Sequence, residues 1–321
     1  MAIEIVRYSD KWKSKWDDFV EKSNNGTIFH LQRFLEYHEE GKFKWHHLLF
    51  LEDGEIVSVL PAAEMGSTFE SPIGASYGSF ITNDISFQKA LELVDIFSEY
   101  CRASGFERAI LTAPPFIYQK VISQHIEYAF AYRRFTYDKH YISHVIKLDG
   151  DDFLKDFQST ARRYIHKYLR ENSLEIEISD DYASFYPILV ENKARHNVKP
   201  THTLEELVQL KKLLPDRFIL FLVKKNRKPI AGSLNFICNS QVLLCFYNML
   251  LYEYEEFNPI HAIMYEIVKW AIEHNFKWVD IGVSQDTHSD DPMTPAMSLI
   301  NFKEKFNARG ILRSTFYKRF I

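Results

Sequence analysis

The clearest pattern of apolar and polar positions occurs once in each half of the chain. It consists of two apolar runs joined by a short polar turn. In the first half, runs at 48–51 and 56–60 flank a turn that contains Asp53-Gly54, and runs at 218–223 and 229–234 repeat the arrangement. Short apolar runs bounded by turn residues are typical of buried strands, and Asp-Gly favours a tight hairpin. The pattern therefore predicts one β-hairpin in each half.

Each predicted hairpin is followed by an amphipathic helix and a further strand. In the first half, apolar positions at helical spacing predict a helix over 87–104, which Gly105 ends, and a strand at 108–111. In the second half, the same order predicts a helix over 259–274 and a strand at 277–281. This repeated order of elements indicates an internal duplication.

A charged segment joins the two halves. Its apolar spacing predicts one long helix over 152–172, with Asp151 or Asp152 as its N-cap. A solvated helix face and a phosphate-binding face both fit its charge pattern. The basic residues that share one face are Arg162, Arg163, His166, Lys167 and Arg170.

Length and composition bound the class of protein. A chain of 321 residues suggests two domains, which we place at 1–150 and 151–321. With 39 basic and 43 acidic residues the net charge is −4, which argues against binding nucleic acid along the whole surface. Apolar residues make up 46% and aromatic residues 15%, so the chain has enough apolar side chains for a large folded core.

The N-terminus and the cysteines suggest a location. The segment Met1–Arg7 lacks the apolar core of a signal peptide, and no apolar run is long enough to span a membrane. Three cysteines without a paired motif are typical of reduced thiols. We therefore expect a cytoplasmic protein without a membrane span.

Several short segments, taken in their order along the chain, resemble the GNAT acyltransferase superfamily. The resemblance is to the tandem branch that contains the Fem-type aminoacyl transferases, which build peptidoglycan cross-bridges. It implies an α/β (α+β) chain of two tandem GNAT-like folds, each a mixed central sheet flanked by helices, the first on the acceptor side. It also implies transfer of an acyl or aminoacyl group to an amine. The segments are Gly26–His30, Leu60-Pro61, Ser159–Lys167, Pro229–Leu234, Phe246–Asn248, Asn258–His261, Trp278–Gly282 and Asn301–Asn307.

The resemblance places the reacting centre near three residues. Tyr247 would protonate the leaving group or orient the donor, and Asp280 is a carboxylate within an apolar strand. Lys303, in the segment Phe302–Phe306, would balance negative charge on the donor. Each residue also fits a structural role, as a core tyrosine, a satisfied carboxylate and a surface lysine.

The same resemblance also implies which residues bind the donor and which bind the acceptor substrate. On the donor side, Asn258 would cap the helix that begins at Pro259, but Glu255-Glu256 stands where acetyl-CoA-binding members have a glycine-rich phosphate loop. The donor-binding candidates are Asn248, Asn258, Pro259, Ile260 and His261, and the substrate-binding candidates are Arg162, Arg163, Phe29, His30 and Tyr77.

Three functions remain open at this point. The first is transfer from acyl-CoA or acetyl-CoA to a small-molecule or nucleotide-linked amine, by direct transfer in a ternary complex without a metal. The second is an aminoacyl-tRNA-dependent transferase that acts on a cell-wall precursor. The third is a non-catalytic binding protein with the same fold. The polar loop at 284–292 fits acceptor recognition or a mobile loop better than a metal site.

Overall fold

The chain forms two compact units in a computed structural model that describes residues 3–150, 152–195, 197–286 and 288–320. Within these residues, the first unit comprises 3–141, 290–293 and 312–320, and the second comprises 142–289 and 294–311. The division passes through two strands, between Tyr141 and Ile142 and between Ile311 and Leu312.

Strands occur in both units and are numbered here in chain order. They are β1 Glu4–Arg7, β2 Leu48–Glu52, β3 Glu55–Leu60, β4 Ala63–Met65, β5 Thr68–Ser71, β6 Ile81–Thr82, β7 Arg108–Thr112, β8 Thr136–Lys147, β9 Glu175–Ser179, β10 Phe218–Lys225, β11 Lys228–Ile237, β12 Val242–Leu250, β13 Trp278–Val283 and β14 Arg309–Arg319.

The α-helices follow the same numbering. They are α1 Lys13–Lys22, α2 Gln32–Leu35, α3 Phe87–Ala103, α4 His125–Tyr132, α5 Phe153–Asp156, α6 Ser159–Glu171, α7 Tyr182–Ala194, α8 Leu204–Leu213, α9 Pro259–Glu273 and α10 Met297–Glu304.

The first unit is built on two groups of paired strands. One group has the order β1-β2-β3-β6, and in the other β7 pairs in parallel with β5 and antiparallel with the end of β14. Helix α3 buries Leu93, Val94 and Phe97 against these strands, where Phe69 and Phe130 complete an aromatic core. The unit is therefore a mixed sheet structure covered by helices.

The second unit has one run of strands in the order β8-β13-β12-β11-β10-β9. Only β12 and β13 pair in parallel among the neighbours described in this run. Helix α9 buries Ile263, Ile267 and Val268 on one face of the sheet, together with α6. Helix α7 covers the opposite face, where Phe185 packs over Gly232. A mixed sheet flanked by helices is thus observed in this unit as well.

The predicted hairpins, helices and strands are confirmed to within a few residues. Strands β2–β3 and β10–β11 form the hairpins, and α3 and α9 are the two amphipathic helices. Gly105 follows the end of α3 with a φ of 78°, and Asn275 follows α9 with a φ of 62°. Both values lie in the left-handed region that commonly ends a helix.

The prediction of one helix over 152–172 is wrong. The segment is divided into α5 and α6, because Phe157 has an extended ψ of 147°. This conformation buries the Phe157 ring 5.4 Å from that of Phe306, and the N–H of Gln158 bonds to the carbonyl of Lys305. Burial of an aromatic ring outweighs continued helix at this position.

Asp152 occupies the N-cap position of α5, as one of the two predicted alternatives, but without the side-chain capping bond. The Asp152 carboxylate makes no capping hydrogen bond and lies 2.8 Å from the ammonium of Lys155. The alternative cap, Asp151, lies outside the described residues.

Two further observations concern the class of protein. Cys101, Cys238 and Cys245 are buried, and no disulfide joins them. Within the described ranges, no helix has both the length and the apolar character needed to cross a bilayer.

The packing of α7 on the sheet yields a stability prediction. A Cβ at Gly232 would lie 2.6 Å from Cδ2 of Phe185 and 3.1 Å from the carbonyl oxygen of Phe221. Gly232→Ala should therefore lower the free energy of unfolding by about 1–3 kcal/mol, measured by urea denaturation. Gly150→Ala is the matched control, since its nearest neighbour would be 3.9 Å away. An equal effect of both substitutions would contradict the packing of Phe185 on Gly232.

Candidate functional site

The sheet of the second unit opens where β12 and β13 separate. Strand β12 runs on to Leu250 and β13 to Val283, but their described pairing ends at Leu244 and Asp280. On its other side β12 stays paired with β11, with one bulged residue at Phe246. Past Leu244, the peptide groups on the edge of β12 that faces β13 therefore have no strand partner among the described residues. An extended ligand can bind such an edge through main-chain hydrogen bonds.

The end of β13 is turned by the main chain at Gly282. Gly282 has a φ of 78°, which interrupts the extended strand, and the pairing of β13 with β8 shifts register there. Oδ1 of Asp280 accepts a hydrogen bond of 2.7 Å from the N–H of Gly282 and one of 2.8 Å from Oγ of Ser143. Asp280 is fully buried. Its carboxylate thus stabilises the turn that carries β13 away from β12.

Lys303 holds the same turn from the other side. The lysine comes from α10 and is 6% exposed, and its Nζ donates to the carbonyl oxygens of Gly282 at 2.7 Å and Val283 at 2.9 Å. Burial lowers the pKa of the ammonium to about 8, while the nearby Asp280 carboxylate opposes that shift. The structure therefore brings two of the predicted catalytic residues, Lys303 and Asp280, together around one glycine.

Three further polar side chains join this pair and were not predicted from the sequence. Oγ of Ser284 lies 3.0 Å from Nζ of Lys303 and 2.9 Å from Nδ1 of His144. Ser143 and His144 are neighbours on β8, and burial lowers the pKa of His144. The sequence contains a Ser-His pair inside an apolar strand, and this unusual pair could have pointed to a polar site. The residues that the pair contacts, however, are more than 130 residues away in sequence. We call Asp280, Lys303, Ser143, Ser284 and His144 the β13 network.

Tyr247, the third predicted catalytic residue, has a different partner. It is 2% exposed, and its hydroxyl accepts a 3.3 Å hydrogen bond from the N–H of His202 and lies 3.0 Å from Nδ1 of that residue. Burial raises the pKa of the phenol, so it stays protonated near neutral pH. The observed contacts of its hydroxyl are with His202 and Thr201 rather than with the β13 network, and its catalytic role remains a prediction.

The start of α9 differs from the prediction in one detail. Asn258 has a left-handed φ of 53°, and its main-chain carbonyl accepts from the N–H of His261. Its side chain does not cap the helix and donates instead to the carbonyl of Glu256 at 3.0 Å. Pro259 is buried in the first turn, and Ile260 packs against the core. The predicted side-chain cap is therefore wrong, because the chain enters the helix in a left-handed conformation.

Two buried polar atoms near the start of α9 have no hydrogen-bond partner in the described parts of the chain. One is Nε2 of His261, which is 7% exposed, and the other is Oδ1 of Asn248 on β12. Nδ2 of Asn248 lies 3.4 Å from Sδ of Met264, which is one turn along α9 from His261. Burial lowers the pKa of His261 to about 4, and Lys305 adds to this effect. At the boundary of α9 and β12, the neutral imidazole of His261 and the amide of Asn248 therefore each have one polar atom without a hydrogen-bond partner among the described residues.

Comparison with known proteins relates this half of the chain to a described family. Residues 155–290 match the family model described as "Acetyltransferase (GNAT) domain". The second half of the chain therefore contains a segment similar to a GNAT domain, which we call the GNAT domain. A search of curated protein sequences finds no match.

Solved structures extend the likeness to the whole chain. FemX is 14% identical, with a TM-score of 0.71 over 98% of this chain and 97% of that one. The tandem GNAT protein from the clavulanic acid biosynthesis pathway is 10% identical, with a TM-score of 0.57 over 99% and 98%. L-PGS from Bacillus licheniformis is 11% identical, with a TM-score of 0.60 over 95% and 90%. The chain therefore shares its fold with FemX and with the tandem GNAT protein, and the predicted fold of two tandem GNAT-like units is confirmed.

The basic face of α6 lies beside the start of α9 in the GNAT domain. Arg163 stacks on Tyr164 at 5.0 Å, and the Tyr164 ring lies 4.8 Å from that of His261. Arg162 is half-buried and donates to the carbonyl of Lys155 at 3.4 Å. The residues of this face that are exposed are Arg163, His166, Lys167 and Arg170. The predicted single face is confirmed as a helix surface, and its contact with substrate remains a prediction.

The substrate-binding candidates of the first half lie inside the first unit. The Phe29 ring meets that of Tyr77 edge-on at 5.6 Å. Nδ1 of His30 lies 3.0 Å from the N–H of Thr27, its Nε2 lies 3.3 Å from the carbonyl oxygen of Gly78, and burial lowers its pKa to about 4. Their observed partners are all protein groups. Contact of Phe29, His30 and Tyr77 with a substrate stays a prediction.

The loop at 284–292 is organised by its own hydrogen bonds. The N–H of Asp286 bonds to the carbonyl of Thr294 at 2.7 Å, and Oγ of Ser289 lies 2.7 Å from Oγ1 of Thr294. Oδ1 of Asp286 accepts from the N–H of His288. Thr287 lies outside the described residues, and among the others no group of three His, Cys, Asp or Glu side chains is placed to hold a metal.

Removal of the Lys303 ammonium should weaken the fold locally. Lys303→Met would leave the carbonyls of Gly282 and Val283 without their donor, at a cost of about 1–3 kcal/mol in the free energy of unfolding. Urea denaturation measures this, and Lys269→Met on the exposed face of α9 is the control. Equal stability of both variants would show that Lys303 does not hold the end of β13.

Proposed function

We propose that the GNAT domain transfers an acyl or aminoacyl group to an amine in the slot between β12 and β13. The observation that carries this proposal is the separation of the two strands past Leu244 and Asp280. The family match of residues 155–290 supports the class of reaction.

The free edge of β12 suits the donor. An acyl group linked to an extended amide chain can hydrogen-bond along residues 245–250, whose edge toward β13 has no strand partner among the described residues. Such bonds would align the donor carbonyl with the slot. The attacking amine would then form a bond to the carbonyl carbon, and the bond to the leaving group would break.

The β13 network suits the charge that develops in this reaction. Attack by the amine places negative charge on the carbonyl oxygen, and a fixed ammonium close to that oxygen lowers the barrier. Lys303 supplies an ammonium at pH values below about 8. Asp280, Ser284 and the turn at Gly282 hold it in position. We assign Tyr247 the protonation of the leaving group, because its raised pKa keeps the phenol protonated.

The start of α9 does not fit a CoA pyrophosphate held in the usual way. Glu255 and Glu256 are exposed directly before the helix, and Pro259 removes one of the N–H groups that would bind phosphate. The start of α9 therefore lacks the usual phosphate-binding groups for CoA. Cations close to this end of α9 include Arg163, which stacks on Tyr164, Lys305, whose charge acts on His261, and Lys225, which lies over the Phe257 ring at 3.8 Å.

A charged tRNA is a second candidate donor. The exposed residues Arg163, His166, Lys167 and Arg170 favour it, because they present several cations along one helix face. A guanidinium can bind a phosphate through two parallel hydrogen bonds, whereas the ammonium of a lysine acts as a point charge, so Arg163 and Arg170 would make the more specific phosphate contacts. In this variant of the proposal the acceptor is an amine of a cell-wall precursor, and the reaction takes place in the cytoplasm.

The direct test is turnover by the purified chain with an amine panel and either acetyl-CoA or aminoacyl-tRNA as donor. Transfer from either donor supports the proposal and identifies the donor class. Binding of a donor without transfer to any amine would favour a non-catalytic GNAT-fold protein and contradict it.

The pH dependence of that turnover tests the role of Lys303. The ammonium loses its proton as the pH rises through about 8, so kcat/KM should fall about tenfold per pH unit above that value. Lys303→Arg keeps the positive charge and should move the fall to higher pH. An unchanged alkaline limb in Lys303→Arg would show that another group is responsible.

Binding of tRNA by the basic face of α6 can be tested through its dependence on salt concentration. If this face binds the phosphates of tRNA, Lys167→Gln should reduce the slope of the logarithm of the tRNA binding constant against the logarithm of the salt concentration by about 0.7–0.9. The control is Lys269→Gln, an exposed lysine on α9. The measurement is filter binding or fluorescence anisotropy with unmodified tRNA. A slope that falls equally in both variants would argue against a specific face.

A further inference from the structure

A narrow cleft opens in the first unit. Thr82 and Ile85 line it between β6 and α3, Pro114 lines it just after β7, and Glu127 lines it from the first turn of α4. The space between its walls admits a group of about the size of a water molecule or an ammonium. The cleft is open to solvent on one side.

The cleft has the same position in the first unit as the slot has in the second. Strand β6, helix α3 and strand β7 follow one another as β12, α9 and β13 do. Strand β6 pairs with β3, whereas β7 pairs with β5 and β14, so the two strands are separated throughout their described length. The duplicated order of elements thus leaves an opening at the equivalent point of each unit.

The helix that follows this opening has a side-chain cap in its first turn. Oγ of Ser86 accepts a hydrogen bond from the N–H of Lys89 and so caps the first turn of α3. The Asn25 side-chain amide donates a hydrogen bond from Nδ2 to the carbonyl of Phe80, and its Oδ1 accepts one from the N–H of Thr82. These groups shape the walls of the cleft.

Two lining groups have capacity to bind a ligand. Ser79 is 1% exposed, and its Oγ is buried without a hydrogen-bond partner among the described residues. Glu127 is half-buried, and no lysine or arginine forms an ion pair with it in the described parts of the chain. Both groups accept hydrogen bonds.

The charge of the lining favours a cation. Glu127 is the acidic residue of the lining, which contains neither lysine nor arginine, and the imidazole of His125 is engaged with the carbonyl of Ile85 at 3.0 Å. Burial raises the pKa of the Glu127 carboxyl, while its own main-chain N–H and His125 oppose the shift. A positively charged group in the cleft would stabilise the ionised carboxylate and supply the hydrogen-bond donor that Ser79 lacks.

We propose that this cleft binds the ammonium head of a small primary amine, with the Glu127 carboxylate and Ser79 Oγ as acceptors. The three N–H donors of an ammonium match a carboxylate and a hydroxyl better than a neutral or anionic head does. The site is independent of the transfer reaction proposed for the second unit, because every residue that forms it belongs to the first.

The test compares three probes that share one alkyl chain: n-butylammonium, n-butanol and n-butyrate. Each is titrated into the isotope-labelled full chain and followed by amide NMR. We expect saturable shifts within residues 79–85 and 119–127 for n-butylammonium alone. Equal shifts with n-butanol, or no saturable shift with n-butylammonium, would overturn the proposal.

Two variants test the acceptors separately. Glu127→Gln should weaken n-butylammonium binding by at least about tenfold, and Ser79→Ala should weaken it by a smaller factor. Glu99→Gln, on the exposed side of α3, is the matched control and should bind as the unaltered chain does. Unchanged affinity in Glu127→Gln, with its amide spectrum still that of the folded chain, would show that the carboxylate is not the acceptor.

Discussion

The candidate active site depends on two buried charged side chains that grip one turn of main chain. Asp280 accepts from the N–H of Gly282, and Lys303 donates to its carbonyl, so both hydrogen-bonding groups of this glycine are engaged by side chains. The turn cannot then pair with β12 in the manner of an ordinary parallel strand. Charges are costly to bury unless they are hydrogen-bonded. Their placement here holds the end of β13 in its turned conformation, with the ammonium of Lys303 against that turn.

Duplication of one arrangement has produced two openings with opposite chemistry. In the second unit a lysine stands at the end of the strand that follows the central helix. In the first unit a glutamate lines the corresponding opening, and the same lining includes Ser79, whose hydroxyl is buried. The order of strand, helix and strand is common to both units. The side chains at the opening decide which ligand each unit favours.

The fold and the chemistry therefore rest on different evidence. The tandem GNAT fold is shared with FemX over nearly the whole chain at 14% identity. The start of α9 differs from a glycine-rich phosphate loop, since Glu255 and Glu256 precede a helix that begins with proline. Positive charges near that end of the helix include Arg163 of α6, Lys305 and Lys225. The identity of the donor depends on these local differences and not on the fold.

The sequence by itself determined the hairpins, the helices α3 and α9, and their ends at Gly105 and Asn275, because these features depend on spacing within one segment. Its resemblance to the GNAT superfamily also singled out Lys303 and Asp280. Only the tertiary structure decided that Phe157 interrupts the joining helix, that Tyr247 bonds to His202, and that Glu127 faces a cleft. Each of these outcomes requires contact between residues far apart in the chain. Local periodicity contains no information about such contacts, since it records which face of an element is apolar and not what covers that face.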